Sequence, residues 1–327
     1  MSELVTQLLA GEQRALSRAM SMIERGDPAA PALMREADPH TGRAYTIGIT
    51  GPPGSGKSTI VDRLTGLLRQ AGIAVGIIAV DPTSPFTGGA ILGDRIRMQR
   101  HHLDHGVFIR SVATRGQSGG LSRVVKSLVR LLDAAGKDII LVETVGVGQT
   151  ELGISGVGDT ILVVLMPESG DTVQTLKAGV MEIADLYLVN KADREGAGQM
   201  ASAITSTLQL AAPRPEWTPP VLLTRAEAGE GMEELWGRIQ EHREFLKKSS
   251  QLGERQEVRR KKEFLEAVEE EMGRRWRVRV ESDTNLANLL QQVADKSSDP
   301  YSAALEFLDS HENSRGSSRD QEAGPQP

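Results

Sequence analysis

Cysteine is absent from all 327 residues, which excludes disulfides, thiolate catalysis and Cys-ligated metal and fits a reducing compartment. A basic excess is missing too: 38 Lys and Arg stand against 44 Asp and Glu, for a formal net charge of -6, where a nucleic-acid binder would carry a basic face. No apolar run approaches the ~18 residues of a membrane span, and no amino-terminal basic-then-apolar signal is found. These absences predict a soluble, cytoplasmic protein with neither nucleic acid nor membrane among its partners. There is no internal repeat. What is present is 39% hydrophobic residues, enough for a sizeable core and about two domains.

Residues 2–37 read as helical, with Leu4, Leu8, Leu16, Met20 and Ile23 at helical spacing and a break at Gly26-Asp27-Pro28. Beyond them apolar runs alternate with helical patterns. The predicted strands are 45–50, 74–80, 107–110, 138–143, 160–166, 185–190 and 221–224. This alternation predicts an α/β fold with a mostly parallel sheet covered on both faces. Residues 254–275 are dense in charge, with Val258, Leu265, Val268 and Met272 as a narrow apolar stripe, which suits a helix packed on a partner or on its own copy. From about 311 the chain is polar and contains Gly, Ser and Pro, which predicts disorder.

Between the first predicted strand and a helical stretch from Lys57 to Gln70 lies Gly51-Pro52-Pro53-Gly54-Ser55-Gly56-Lys57-Ser58, followed by Thr59. It fits G-x-x-x-x-G-K-[ST] in the strand–loop–helix context that the motif requires. Gly51, Gly54 and Gly56 permit backbone conformations in which successive N–H groups turn inward around a phosphate at a helix N-terminus. Lys57 then reaches the β- and γ-phosphates and Ser58 offers its hydroxyl to Mg²⁺. A second segment, Asn190-Lys191-Ala192-Asp193, follows an apolar strand at the end where open α/β sheets bind ligands. The Asp193 carboxylate can accept from the ring N–H and exocyclic amine of guanine, whereas adenine would face it with an acceptor. Asn190 can bond the other base edge, and the Lys191 stem can lie over the ring. Four residues in a loop are a weak signal alone; behind a phosphate loop they become strong, and the pair predicts a pocket for GTP or GDP with Mg²⁺.

Three acids follow or end strands near the loop and are candidate magnesium ligands beside Ser58: Glu143, which closes a buried-strand pattern, Asp81, and Asp94 in the glycine-rich stretch 88–95. Glu143 opens Glu143-Thr144-Val145-Gly146, whose glycine N–H can report on the γ-phosphate. Val147 stands where Ras-like enzymes place a water-orienting glutamine, so intrinsic hydrolysis is expected to be slow unless Gln149, Lys177, Arg97 or a partner supplies the missing group.

The runs Ala79-Val80-Asp81-Pro82-Thr83-Ser84, Thr87-Gly88-Gly89-Ala90-Ile91-Leu92-Gly93-Asp94-Arg95, Val142-Glu143-Thr144-Val145-Gly146-Val147-Gly148-Gln149 and Asn190-Lys191-Ala192-Asp193 resemble the methylmalonyl-CoA mutase-associated GTPases, the MeaB/ArgK family. The likeness covers residues 40–247. It implies a GTPase that attends an adenosylcobalamin-dependent acyl-CoA mutase, gating cofactor delivery and protecting the mutase. It also implies metal and switch roles for Asp81, Asp94 and Glu143, a mobile segment 168–177 ending in Lys177, and a homodimer joined through a carboxyl-terminal helical extension. One departure is Thr224-Arg225-Ala226, where related GTPases often have Ser-Ala, which leaves the Ala226 N–H as the base contact.

The division expected is a helical extension at 1–42, a P-loop GTPase domain at 43–247, a helical dimerisation arm at 248–310 and a disordered tail at 311–327. Rival readings are a nickel-type metallochaperone GTPase, since His101 and His105 have i, i+4 spacing beside His102, and an ATPase or kinase of the LAO/arginine-transport type. Without cysteine, a solvated helix end is the expected reading of the histidines. A nucleotide-dependent binding module with incidental hydrolysis is a third.

Overall fold

The computed structural model describes residues 1–81, 99–101, 103–113, 123–144, 150–167, 180–210, 216–280 and 284–319. They fall into two compact units, Met1–Lys261 and Lys262–Pro327.

In the first unit the apolar runs become strands β1 (Tyr45–Thr50), β2 (Val75–Asp81), β3 (Val107–Ala113), β4 (Ile139–Glu143), β5 (Thr160–Leu165), β6 (Leu186–Asn190) and β7 (Val221–Thr224). Their order across the sheet is β3-β2-β4-β1-β5-β6-β7. Every pairing is parallel. Parallel strands are covered on both faces, and β1, β4, β5 and β6 are accordingly buried along their whole length.

Helices α1 (Glu3–Leu9), α2 (Gln13–Arg25), α3 (Ala30–Ala37), α4 (Lys57–Gln70), α5 (Arg123–Ala134), α6 (Ala197–Leu210) and α7 (Met232–Lys248) supply that cover. On one face Val5, Leu8, Leu16, Met20 and Leu33 of the amino-terminal helices join Leu128 and Leu132 of α5 and Ile78 and Ile140 of the sheet in a single core. The extension is thus packed on the sheet domain rather than tethered to it. Asp133 of α5 fixes the junction, its carboxylate accepting from the N–H groups of Gly42 (2.5 Å), Arg43 (3.2 Å) and Ala44 (3.0 Å). On the other face Ile60, Leu64 and Leu68 of α4 and Leu235 and Ile239 of α7 cover Ile47, Ile77 and Leu141. Each such fully buried side chain contributes about 1.5–3 kcal/mol of transfer free energy.

Parallel strands bring the carboxyl ends of β1, β4, β6 and β7 to one edge, and the register sets Ile49 opposite Glu143 and Asn190 opposite Thr224. The amino edge carries a different network. The Tyr45 hydroxyl is 2.5 Å from Thr160 Oγ1, which is 2.8 Å from Nδ1 of the fully buried His242. His242 Nε2 lies 3.3 Å from Asp185 Oδ1. A long helix, α8 (Gln251–Val280), roots here: Arg255 meets Asp185 at 3.3 Å, Arg260 meets Asp38 at 2.5 Å, and Arg259 pairs with Asp159.

In the second unit α9 (Thr284–Ala294) and α10 (Pro300–Arg319) bury Leu289, Ala303 and Phe307 against Trp276, whose ring centroid is 5.4 Å from that of Phe307. Helix α10 continues to Arg319, past residue 311 where the polar composition predicts a tail. The predicted stripe is on the surface of α8, with Val258 64%, Leu265 59%, Val268 38% and Met272 61% exposed. Among the described residues no helix is long and apolar enough to cross a membrane.

Burial raises the pKa of both Tyr45 and Tyr187, which keeps the neutral phenols in the folded chain after unfolded tyrosine begins to ionise near pH 10. Stability present below that pH is therefore lost as pH rises. Denaturant titrations should show this contribution level from neutrality to about pH 9 and falling from about pH 10 upwards. Tyr45→Phe should cost about 1 kcal/mol at neutral pH through the lost Thr160 contact, yet soften the alkaline decline. Identical alkaline slopes for parent and variant would contradict the assignment.

Candidate functional site

The carboxyl edge of the sheet gathers the residues singled out in the sequence. After Thr50 the chain turns through Gly51 (φ 138°), Gly54 (φ 76°) and Gly56 (φ 93°) before α4 begins at Lys57. Glycine is required at two of these positions for more than φ: an added Cβ at Gly51 would run into the Val164 carbonyl, and one at Gly56 into Asn190 Nδ2. Lys57 is 6% exposed and folds back over the loop, its Nζ donating to the carbonyls of Gly51 (2.8 Å) and Pro52 (3.0 Å). The Pro52 carbonyl also accepts from the N–H of Ser55 at 3.3 Å, closing the turn over Pro53 and Gly54. Ser58 and Thr59 occupy the first turn of α4.

Ser58 Oγ donates to Glu143 Oε1 at 2.6 Å, and both residues are buried. This brings a hydroxyl and a carboxylate from segments 85 residues apart to one point beside the loop. Two hard oxygen donors, one of them anionic, fit a magnesium ion. The Asp81 backbone ends β2 as predicted, but its side chain, together with Asp94, Gly146 and Lys177, lies outside the described residues, as do Val147, Gln149 and Arg97.

The second segment is built around the Asn190 carboxamide. Its Nδ2 donates to the Ser55 carbonyl at 2.8 Å, and its Oδ1 accepts from Thr224 Oγ1 (3.2 Å) and the Ala226 N–H (3.1 Å). Much of the amide is thus engaged by the protein, where the sequence reading turned it towards a base. Lys191 adopts φ 58°, one of three non-glycine residues described with positive φ, and its Nζ lies 3.5 Å from Met166 Sδ. Asp193 is about half exposed and sits 3.6 Å from Arg225 Nε, while Arg225 also pairs with Glu230 at 3.0 Å. A loop carboxylate open to solvent and backed by a cation can accept from two adjacent N–H donors of a flat ligand.

Sequence reasoning missed two contacts of α4. Arg63 donates from Nε to the Ala226 carbonyl at 3.1 Å and from a second nitrogen to that of Glu227. Asp62, 5% exposed at the side chain, pairs with Arg100 at 2.5 Å and lies 3.2 Å from His101 Nε2. His101 is buried in a short 3-10 turn, Gln99–His101, while His105 is exposed in the turn before β3. The two do not share a helix, which corrects the i, i+4 reading and the solvated helix end alike. Among the described residues no group of three or more His, Cys, Asp or Glu side chains is placed to hold a metal ion.

Residues 16–281 match the family described as methylmalonyl Co-A mutase-associated GTPase MeaB. The chain belongs to that family. A Pyrococcus horikoshii protein named as a GTPase is 46% identical over 306 residues, covering 92% of this chain and 95% of its own length. The GTPase ArgK of Escherichia coli is 37% identical over 83% of this chain and 84% of its own. A crystal structure of a LAO/AO transport system kinase superposes with a TM-score of 0.73 at 27% identity, covering 95% of this chain and 97% of the other. Membership of a GTPase family implies a guanine nucleotide as ligand and association with a methylmalonyl-CoA mutase as the family's role.

Alanine at each glycine separates strain from clash. All three positions cost about 1–2 kcal/mol for left-handed backbone. Gly54 has only Met166 Cε nearby, at 3.6 Å, whereas Gly51 and Gly56 meet atoms of the site itself. Thermal unfolding should rank both Gly51→Ala and Gly56→Ala as more destabilised than Gly54→Ala; equal losses would contradict the packing described.

Proposed function

We propose that this chain hydrolyses GTP and uses the cycle to gate adenosylcobalamin delivery to, and to protect, a B12-dependent acyl-CoA mutase of the methylmalonyl-CoA mutase type. The observation that carries the reading is the joining of the loop 51–58 to the Asn190–Asp193 segment through one buried amide, in a chain of the MeaB family.

In this reading the N–H groups of residues 54–58 surround the β-phosphate, and Lys57 leaves the Gly51 and Pro52 carbonyls to neutralise the β- and γ-phosphates. Ser58 and Glu143 hold Mg²⁺ with Asp81 and Asp94 as further oxygen donors; bound there, the ion would neutralise charge on the phosphate oxygens. Gly146 senses the γ-phosphate, and Asp193 selects guanine. Val147 cannot hydrogen-bond a water, so the water-orienting or charge-stabilising group is Gln149, Arg97, Lys177 or one from the partner. The exposed stripe of α8 supports a homodimer through residues 248–310, and the net charge of -6 supports a cytoplasmic setting that involves neither membrane nor nucleic acid. A LAO/AO-type kinase differs in using ATP, which Asp193 disfavours.

Base selection is tested by calorimetry with GTP, ATP and XTP. Asp193→Asn should weaken GTP and shift preference towards XTP, whose added carbonyl accepts from an amide; equal affinity of the parent for GTP and ATP would sink the guanine assignment. Lys57→Ala and Glu143→Ala should each lower turnover by orders of magnitude, with nucleotide affinity hurt more by the loss of Lys57. A cognate adenosylcobalamin-dependent mutase should raise GTP turnover by roughly 10- to 1,000-fold, the scale of a few kcal/mol of transition-state stabilisation. By linkage, a mutase that prefers the GTP form is bound more tightly when GTP is present. No rate change, with no effect of nucleotide on cobalamin loading, would reject the chaperone role and leave a GTPase without a client.

A further inference from the structure

The loop that follows β7 is closed on itself and held from two sides. Arg225 and Glu230 exchange backbone hydrogen bonds (3.1 and 3.2 Å), and the Gly229 N–H donates to the Ala226 carbonyl at 3.1 Å. From one side Asn190 Oδ1 takes the Ala226 N–H. From the other comes Arg63, six residues beyond Lys57 on the same helix, with its guanidinium donating to two consecutive carbonyls, Ala226 and Glu227. A guanidinium presents donors in a rigid plane, so one side chain can serve both carbonyls at once, and an ammonium cannot reproduce that fork. Helix α4 begins at the glycine-rich loop, so Arg63 is covalently continuous with the proposed phosphate cradle and hydrogen-bonded to the base loop. Hydrogen bonds from an ionised donor are shorter and roughly twice as strong as neutral ones.

We propose that Arg63 is a positioning residue for guanine recognition: it sets the distance and angle between the phosphate-binding helix and the loop 225–231, and so the register of a base held at Ala226 and Asp193 relative to phosphates held at Lys57. This rests on the guanine-nucleotide reading of the site. The consequence is specific. A ligand that bridges both halves depends on Arg63, and a ligand that occupies only the phosphate half does not.

The test uses the full chain and three probes: GDP, ADP and inorganic tripolyphosphate, which carries no base. Arg63→Met keeps the side chain's apolar stem and removes its donors; Arg63→Lys keeps one charged donor group. Arg63→Met should weaken GDP about tenfold, a difference of about 1.4 kcal/mol. Its affinity for tripolyphosphate should match the parent's, and the preference for GDP over ADP should narrow by the same factor. Arg63→Lys should recover part of the loss. If GDP and tripolyphosphate weaken together, Arg63 supports the fold generally and the proposal is overturned. If the parent prefers GDP and Arg63→Met binds it equally well, the positioning role fails while the guanine reading stands. If the parent itself does not distinguish GDP from ADP, both fail.

Discussion

The Asn190 carboxamide is 3% exposed, and it donates to Ser55 in the glycine-rich loop while accepting from Thr224 and Ala226 beyond β7. The segments it joins are 135 and 36 residues away in sequence, so no local propensity could hold them at that separation. Buried amides of this kind are costly when half satisfied and rigid when fully engaged. The amide adds to the positive φ of Gly56 a second reason for glycine there, since a Cβ would clash with Nδ2. The same carboxamide therefore constrains the loop's glycine, the approach of β6 to β1 across β5, and the pose of Ala226.

The parallel sheet separates two kinds of chemistry. Its carboxyl edge collects Lys57, Ser58, Glu143 and Asn190, all buried yet each tied to a neighbour that a ligand could replace or join. Its amino edge collects Tyr45, Thr160, His242 and Asp185 in a closed network, with the first turns of α8 bound to it through Arg255, Arg259 and Arg260. Hydroxyl, imidazole and carboxylate line up there much as in a hydrolase, but His242 and Thr160 have no exposure, so the arrangement supports helix anchoring rather than catalysis.

Much of this was legible in the sequence, for physical reasons that differ by element. Strands buried on both faces are continuous apolar runs, and Ile139–Glu143 or Leu186–Asn190 could be read directly because nothing but burial decides them. Helix α4 was readable from the glycines before it. The base loop was not: Arg63 lies in a helical pattern that says nothing about carbonyls 163 residues downstream. The motif places Asn190 at a base edge but says nothing of the protein's own claims on that amide, from Ser55, Thr224 and Ala226. The i, i+4 spacing of His101 and His105 implies a shared face only inside an α-helix, whereas His101 ends the 3-10 turn Gln99–His101.

The coupling carried by Asn190 is open to direct measurement by amide hydrogen exchange. Tripolyphosphate, bound only at the loop 51–58, should slow exchange in residues 54–58 and, through the Asn190 amide, in residues 225–231. In Asn190→Ala the first effect should persist and the second should fall to what the Arg63 contacts with Ala226 and Glu227 transmit alone. Protection of residues 225–231 by tripolyphosphate that is undiminished in Asn190→Ala would contradict the central role given to that side chain.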